Sequence, residues 1–101
     1  MKRLSNRQEQ ILSLIWNQGP LTVQQIKGQL PDILHFNTIS TVLRELERAG
    51  FIKHIDKSKP FQYYSVISKT DYIVSVMETF TERFFAGNKS EMIRTLTANH
   101  T

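Results

Sequence analysis

The sequence predicts a mainly α-helical fold carrying one small β-hairpin. Three observations predict it. Apolar residues recur at helical spacing in five segments, one stretch rich in aromatic and β-branched residues interrupts them, and the breaks between segments are short and marked by glycine, proline or a capping residue.

The first helix is expected from about Asn6 to Gln18. Ser5 followed three residues later by Gln8 has the form of a capping box, and Ile11, Leu12, Ile15 and Trp16 recur on one face. Gly19-Pro20 ends it, because proline lacks an amide hydrogen and glycine tolerates the turn. Thr22 and Gln25 repeat the capping pattern and open a short second helix that carries Val23, Ile26 and Leu30 inward until Pro31, with Gly28 as a weak point. After a loop from Pro31 to Phe36, Asn37 or Thr38 is the expected cap of a third helix with Ile39, Val42, Leu43 and Leu46 on its apolar side, and Gly50 is its left-handed stop.

Phe51 to Ile55 and Phe61 to Val66 then read as two strands joined by the turn-prone Asp56-Lys57-Ser58-Lys59-Pro60, a hairpin with a basic tip. Ser68 and Asp71 begin a fourth helix with Ile73, Val76, Met77, Phe80 and Phe84 in one stripe and Gly87 at its end; Ser90 is the candidate cap of a fifth, bearing Met92, Ile93 and Leu96. Three helices followed by a hairpin, tightly connected, are the order of a winged helix-turn-helix. The chain therefore divides into a winged helix-turn-helix over residues 1–67 and a helical region over residues 68–101. Fold order alone does not name a function.

Composition narrows the classes. A chain of 101 residues supports one core with an extension. It has no cysteine, which removes disulfides, thiolate metal sites and cysteine nucleophiles together, and His35, His54 and His100 stand in separate segments without the spacing of a metal pair. No metal and no cofactor are expected. No apolar run approaches the roughly 18 residues of a membrane span, and Met1-Lys2-Arg3 leads into a polar stretch, so no membrane insertion is expected and the chain reads as cytoplasmic. Up to Ile67, nine Lys and Arg face five Asp and Glu; beyond it four face four, so the whole formal charge of +4 lies in the first part. A positive first part beside a neutral, aromatic-rich second part points to one region that binds a polyanion and one that binds protein.

The third helix sharpens this. Opposite its apolar side, Asn37, Thr41, Arg44 and Arg48 are spaced by four, three and four residues and form one polar stripe. Amide and hydroxyl groups near the N-terminus suit base edges or phosphates, and arginines further along suit phosphates or guanine. The bland alternative is a solvated helix face, and Glu45 and Glu47 favour it, since carboxylates are repelled by phosphate. The basic hairpin tips the balance toward double-stranded DNA, with Lys53, Lys57 and Lys59 as expected backbone contacts.

Three segments resemble the BlaI/MecI/CopY family of bacterial repressors: Leu14 to Ile26, with Gly19-Pro20-Leu21-Thr22-Val23; Thr38 to Ile52, with Thr38 and Thr41 three residues apart; and Phe61-Gln62-Tyr63-Tyr64-Ser65-Val66. The resemblance implies a homodimer on a palindromic operator, with Thr38 and Thr41 aligned to the DNA-contacting threonines, the last helices dimerising, and a membrane-bound sensor peptidase as a partner. Three departures qualify it. Glu45 stands where the family has an arginine, with Arg44 one residue earlier, and one residue turns a side chain by about 100° around the helix, so that contact does not transfer. The cysteine cluster of the copper-responsive branch is missing. Thr95-Leu96 occupies the place of the Asn-Phe bond cleaved in the antibiotic-responsive members, and the chain stops at Thr101, where those relatives have a further helix.

The expected DNA-binding residues are Asn37, Thr38, Ser40, Thr41, Arg44, Arg48, Lys53, Lys57 and Lys59. The expected dimerisation residues are Ile73, Met77, Phe80, Phe84, Phe85, Met92, Ile93 and Leu96; those of the fourth helix offer more apolar surface than one isolated helix buries without a partner. A winged-helix module that binds protein instead of DNA is the alternative; the placement of charge speaks against it. An enzyme is not expected, for the chain has no glycine-rich phosphate loop and no nucleophile with an obvious base.

Overall fold

The computed structural model describes residues 1–57 and 59–98. In chain order the elements are α1 (Asn6–Gln18), α2 (Val23–Lys27), α3 (Phe36–Arg48), β1 (Ile52–His54), β2 (Tyr63–Ser65), α4 (Lys69–Phe85) and α5 (Lys89–Ala98). They fall into two compact units, Lys2–Lys69 and the stretch from Thr70 onward.

In the first unit both capping boxes form. The Gln8 amide donates to Ser5 Oγ at 3.1 Å and the Ser5 amide to Gln8 Oε1 at 2.9 Å; the Thr22–Gln25 pair repeats this at 3.2 and 2.9 Å. Each box satisfies two amides that a helix start leaves without partners. The second helix is shorter than expected. It stops at Lys27 because Gly28 takes the C-cap position, and Leu30 lies beyond the helix.

The third helix starts earlier than expected. His35 is its N-cap, with its carbonyl accepting from the Thr38 amide at 3.0 Å, so Asn37 and Thr38 are not caps but lie within the first turn. Its end is a Schellman turn, with the Gly50 amide donating to the Glu47 carbonyl and the Phe51 amide to that of Leu46, both at 3.0 Å, and with Gly50 at φ 87°. That turn swings the chain into β1 and drops Phe51, 2% exposed, into the core.

The two strands pair antiparallel with Ile52 opposite Ser65, Lys53 opposite Tyr64 and His54 opposite Tyr63. They are shorter than expected, though bonds from the Ile55 amide to the Gln62 carbonyl and from Val66 to Phe51, both 3.0 Å, carry the pairing one step further at each end. Leu21 bonds both ways with Tyr63, at 3.0 and 2.8 Å, which ties the segment between α1 and α2 to the hairpin. The Lys59–Pro60 peptide bond in the hairpin loop is cis. The core comprises Leu4 ahead of the first helix, Ile11, Leu12 and Ile15 within it, Leu21 after it, Val23 and Ile26 from the second, Ile39, Val42, Leu43 and Leu46 from the third, and Phe51, Ile52 and Tyr63 from the hairpin. The Trp16 indole N–H donates to the Ile67 carbonyl at 2.9 Å and Ser65 Oγ at 3.0 Å, pinning the end of the hairpin to the first helix.

In the second unit, Asn88 rather than Ser90 caps α5: its side-chain oxygen accepts from the Glu91 amide at 3.0 Å. Gly87 ends the preceding turn at φ 84°. Thr81 is buried, donates to the Met77 carbonyl at 2.6 Å and sits 3.0 Å from the Met92 sulfur. That contact fastens α5 to α4.

Candidate nucleic-acid interface

The third helix is built from two unlike faces. Ile39, Val42, Leu43 and Leu46 are buried; Asn37, Thr38, Thr41, Arg44, Glu45 and Arg48 are exposed, and Ser40 and Glu47 are half-buried. At roughly 100° per residue, Asn37, Thr41, Arg44 and Arg48 lie along the centre of the outer face, with Thr38 and Glu45 on one flank and Ser40 and Glu47 on the other. Since Asn37 and Thr38 are not spent on capping, their side chains belong to this outer surface.

Thr41 organises the centre. Its hydroxyl donates to the Asn37 carbonyl at 2.9 Å and accepts from Arg44 Nη2 at 3.2 Å. The long Arg44 side chain is thereby held along the helix surface, which reduces the rotamer entropy lost when it meets a ligand.

The two flanks face different surroundings. Ser40 borders a groove of about 180 Å³ shared with Val23, Gln24, Phe36, Pro60, Phe61 and Tyr63, where the helix start meets the hairpin. Further along that flank, Glu47 points at the hairpin: His54 Nδ1 lies 2.7 Å from its Oε2, and His54 Nε2 lies 2.9 Å from Asp56 Oδ1. The two carboxylates meet opposite ends of one imidazole and so do not converge on a single ion. Among the described residues no group of three or more potential ligands is arranged to hold a metal. On the other flank, Glu45 and Arg48 border a shallow concavity with Lys2, Leu4 and Gln8.

These pairings leave the sum of charge read from composition as it is and change where it sits. Of the five carboxylates before Ile67, Glu9 is taken by Arg3 at 3.0 Å, Asp32 by Arg7 at 2.7 Å, and Glu47 and Asp56 by His54. Arg7 grips Asp32 with both guanidinium nitrogens, and this hydrogen bonding holds the Asp32 carboxyl below the usual carboxylate range and raises Arg7 further. Glu45 is the one of the five without an ion pair among the described residues, while Lys2, Lys27, Arg44, Arg48, Lys53, Lys57 and Lys59 carry positive charge with no paired carboxylate there. The objection that Glu47 would repel phosphate weakens, because that carboxylate is turned into the hairpin.

The hairpin lysines are exposed: Lys53 on the outward face of β1, opposite Tyr64, and Lys57 and Lys59 in the loop. Tyr63, on the other face, is buried, and that burial, reinforced by the charge of Glu47, pushes its phenol up from the ordinary tyrosine range, with Arg44 opposing.

The penicillinase repressor family model matches residues 4–101. This chain belongs to the penicillinase repressor family. Family members are transcriptional repressors, so the chain is a transcriptional regulator and not an enzyme. It is 24% identical over 93 residues to the penicillinase repressor of Bacillus licheniformis, covering 90% of this chain and 73% of that one. To the methicillin resistance regulatory protein MecI of Staphylococcus aureus strain N315 it is 23% identical over 92 residues, covering 89% and 75%. Among solved structures, RosR of H. salinarum superposes with a TM-score of 0.62 at 19% identity, covering 97% of this chain and 94% of that one. That likeness shows the winged-helix fold in this family member.

The residues expected to dimerise are split. Ile73, Met77, Phe80 and Phe84 on α4, and Ile93 and Leu96 on α5, are exposed; Phe84 reaches 64%. Phe85 is half-buried, and Met92 is buried against Thr81 within its own unit. Phe80 stands 4.9 Å from Phe84 and 6.2 Å from Phe85, ring centre to ring centre, a compact aromatic patch. Sequence reasoning missed the Glu47–His54–Asp56 contact altogether. The only sequence signal for it was an isolated histidine between two acids in a basic hairpin.

Proposed function

We propose that the chain represses transcription as a homodimer that lays α3 of each protomer into successive major grooves of a palindromic operator. The observation that carries this is where the charges sit: four of the first unit's five acids are held in contacts with Arg3, Arg7 or His54, and among the described residues Arg44 and Arg48 on the third helix and Lys53, Lys57 and Lys59 on the hairpin have no paired carboxylate. In this reading Asn37, Thr38, Ser40, Thr41 and Arg44 meet bases or nearby phosphates, and Arg48, Lys53, Lys57 and Lys59 meet the backbone. The exposed apolar residues of α4 and α5 pair with a second copy, which sets half-sites about 10 base pairs apart or a multiple of that. No helix among the described residues is long and apolar enough to cross a membrane, which agrees with action on DNA in the cytoplasm. A membrane-bound sensor peptidase is the proposed partner that the family resemblance supports, while Thr95-Leu96 in the place of the Asn-Phe bond speaks against induction by cleavage there.

The test is selection of duplexes from a random-sequence library by the purified chain at moderate salt. A preferred palindromic duplex is expected. On that duplex, Lys57→Ala with Lys59→Ala should lessen the fall of log affinity with log salt by about 0.9 per phosphate contact removed, leaving sequence preference unchanged. If no duplex is preferred over bulk DNA, the repressor reading fails.

A further inference from the structure

His54 joins the third helix to both arms of the hairpin. Its Nδ1 lies 2.7 and 3.1 Å from the two oxygens of Glu47, in the last turns of α3, and its Nε2 lies 2.9 Å from Asp56, just after β1. Its ring lies 4.5 Å from that of Phe61 and 6.0 Å from that of Tyr63, both in the returning arm.

A neutral imidazole has one N–H and can donate to one carboxylate; the ring donates to both only when doubly protonated. Loss of that proton leaves one carboxylate facing a lone pair and the cluster with two negative charges instead of one. Among the described residues, the buried Tyr63 phenol of β2 feels both Glu47 and Arg44 of the third helix, which makes Tyr63 and Arg44 the further charged or titratable neighbours of this cluster. Lys53 is on the opposite face of β1.

We propose that His54 is a proton-gated positioning residue, whose protonated ring clamps the hairpin to the recognition helix and removes a negative charge beside it, so that DNA binds more tightly as pH falls. This rests on the DNA-binding reading above. Tighter binding by the protonated form requires proton uptake on binding, at most about one proton per protomer.

The experiment measures binding of the full chain to the library-selected duplex by fluorescence anisotropy at fixed ionic strength. From about pH 8 to about pH 5.5, the range over which histidine changes charge, Kd should fall roughly tenfold for the unaltered chain. His54→Gln should remain near the weak high-pH value throughout. Glu47→Gln, which keeps an acceptor but drops the charge, should blunt the dependence and serves as a second probe should the first variant fold poorly. His35→Gln should retain it, because His35 is the N-cap of the third helix and no part of the Glu47–His54–Asp56 cluster. Nitrogen NMR of the His54 ring should show both nitrogens protonated at the acid end. Equal pH slopes for the unaltered chain and for His54→Gln or Glu47→Gln would overturn the proposal, as would a ring with one unprotonated nitrogen at the acid end. If no duplex is selected at any pH, the DNA-binding reading falls and takes this inference with it.

Discussion

Thr41 shows how one hydroxyl sets the behaviour of a neighbour. Because it accepts from Arg44 and donates to the Asn37 carbonyl, removing it frees the guanidinium as well as deleting a contact group. Arg44→Ala is expected to cost about 1–3 kcal/mol of operator binding, as for a residue meeting base or phosphate, and Thr41→Ala roughly 1 kcal/mol. The double variant should cost less than the sum, since the two act together; a fluorescence binding cycle with strict additivity would separate them. Tyr63 gives a second prediction. Its phenol is raised, so the stability it contributes is present below the unfolded value of 10.0 and is lost as pH rises through the folded one. An alkaline absorbance titration of the three tyrosines should therefore show a late-ionising component that Tyr63→Phe diminishes. Unchanged curves would mean that Tyr63 ionises with the others.

Among the elements, the third helix depends on how it starts and stops. Its start at His35 leaves Asn37 and Thr38 uncommitted, and its stop at Gly50 aims the chain into β1. A Cβ added at Gly50 meets nothing within 4 Å, so the cost of Gly50→Ala is that of the left-handed backbone alone, about 1–2 kcal/mol by chemical denaturation. The same substitution should leave the operator preference intact, because no side chain of the outer face moves. The hairpin is different in kind. With only three residues in each strand, it depends on anchors outside itself: Leu21 against Tyr63, the Trp16 indole on Ser65 and Ile67, and the His54 clamp on Glu47.

For the molecule as a whole, the two units differ in what they leave uncovered. The first unit buries most of its large apolar side chains, with Ile33, Phe36, Phe61 and Val66 among the exceptions, and exposes cations. The second buries Thr81 and Met92 at its own seam and exposes Phe80, Phe84, Ile93 and Leu96. Apolar surface of that extent is what an isologous dimer covers. Phe80→Asp with Phe84→Asp is expected to yield monomers by light scattering, without loss of secondary structure, because neither ring is buried in its own unit. Weaker operator binding should accompany this, since one half-site is then engaged at a time. A dimer that persists would place the pairing surface elsewhere.

Much of this is legible in the sequence. Ser5, Gln8, Thr22 and Gln25 specify helix starts through bonds that reach three residues, and the apolar periodicity specifies which side of each helix is buried, because both depend on spacing along the chain. The polar stripe on the third helix was readable for the same reason. The helix caps at His35 and Asn88 were misplaced because several polar residues could serve and packing chose among them. What only the tertiary structure decided is which charges are spent. Arg7 meets Asp32 across 25 residues, and Glu47 meets His54 only once the turn at Gly50 has laid β1 against the third helix, so neither pair leaves a signature in spacing alone. Composition counts those carboxylates as opposition to a polyanion; pairing in the fold ties Asp32 to Arg7 and Glu47 to the hairpin, away from the outer face of the third helix.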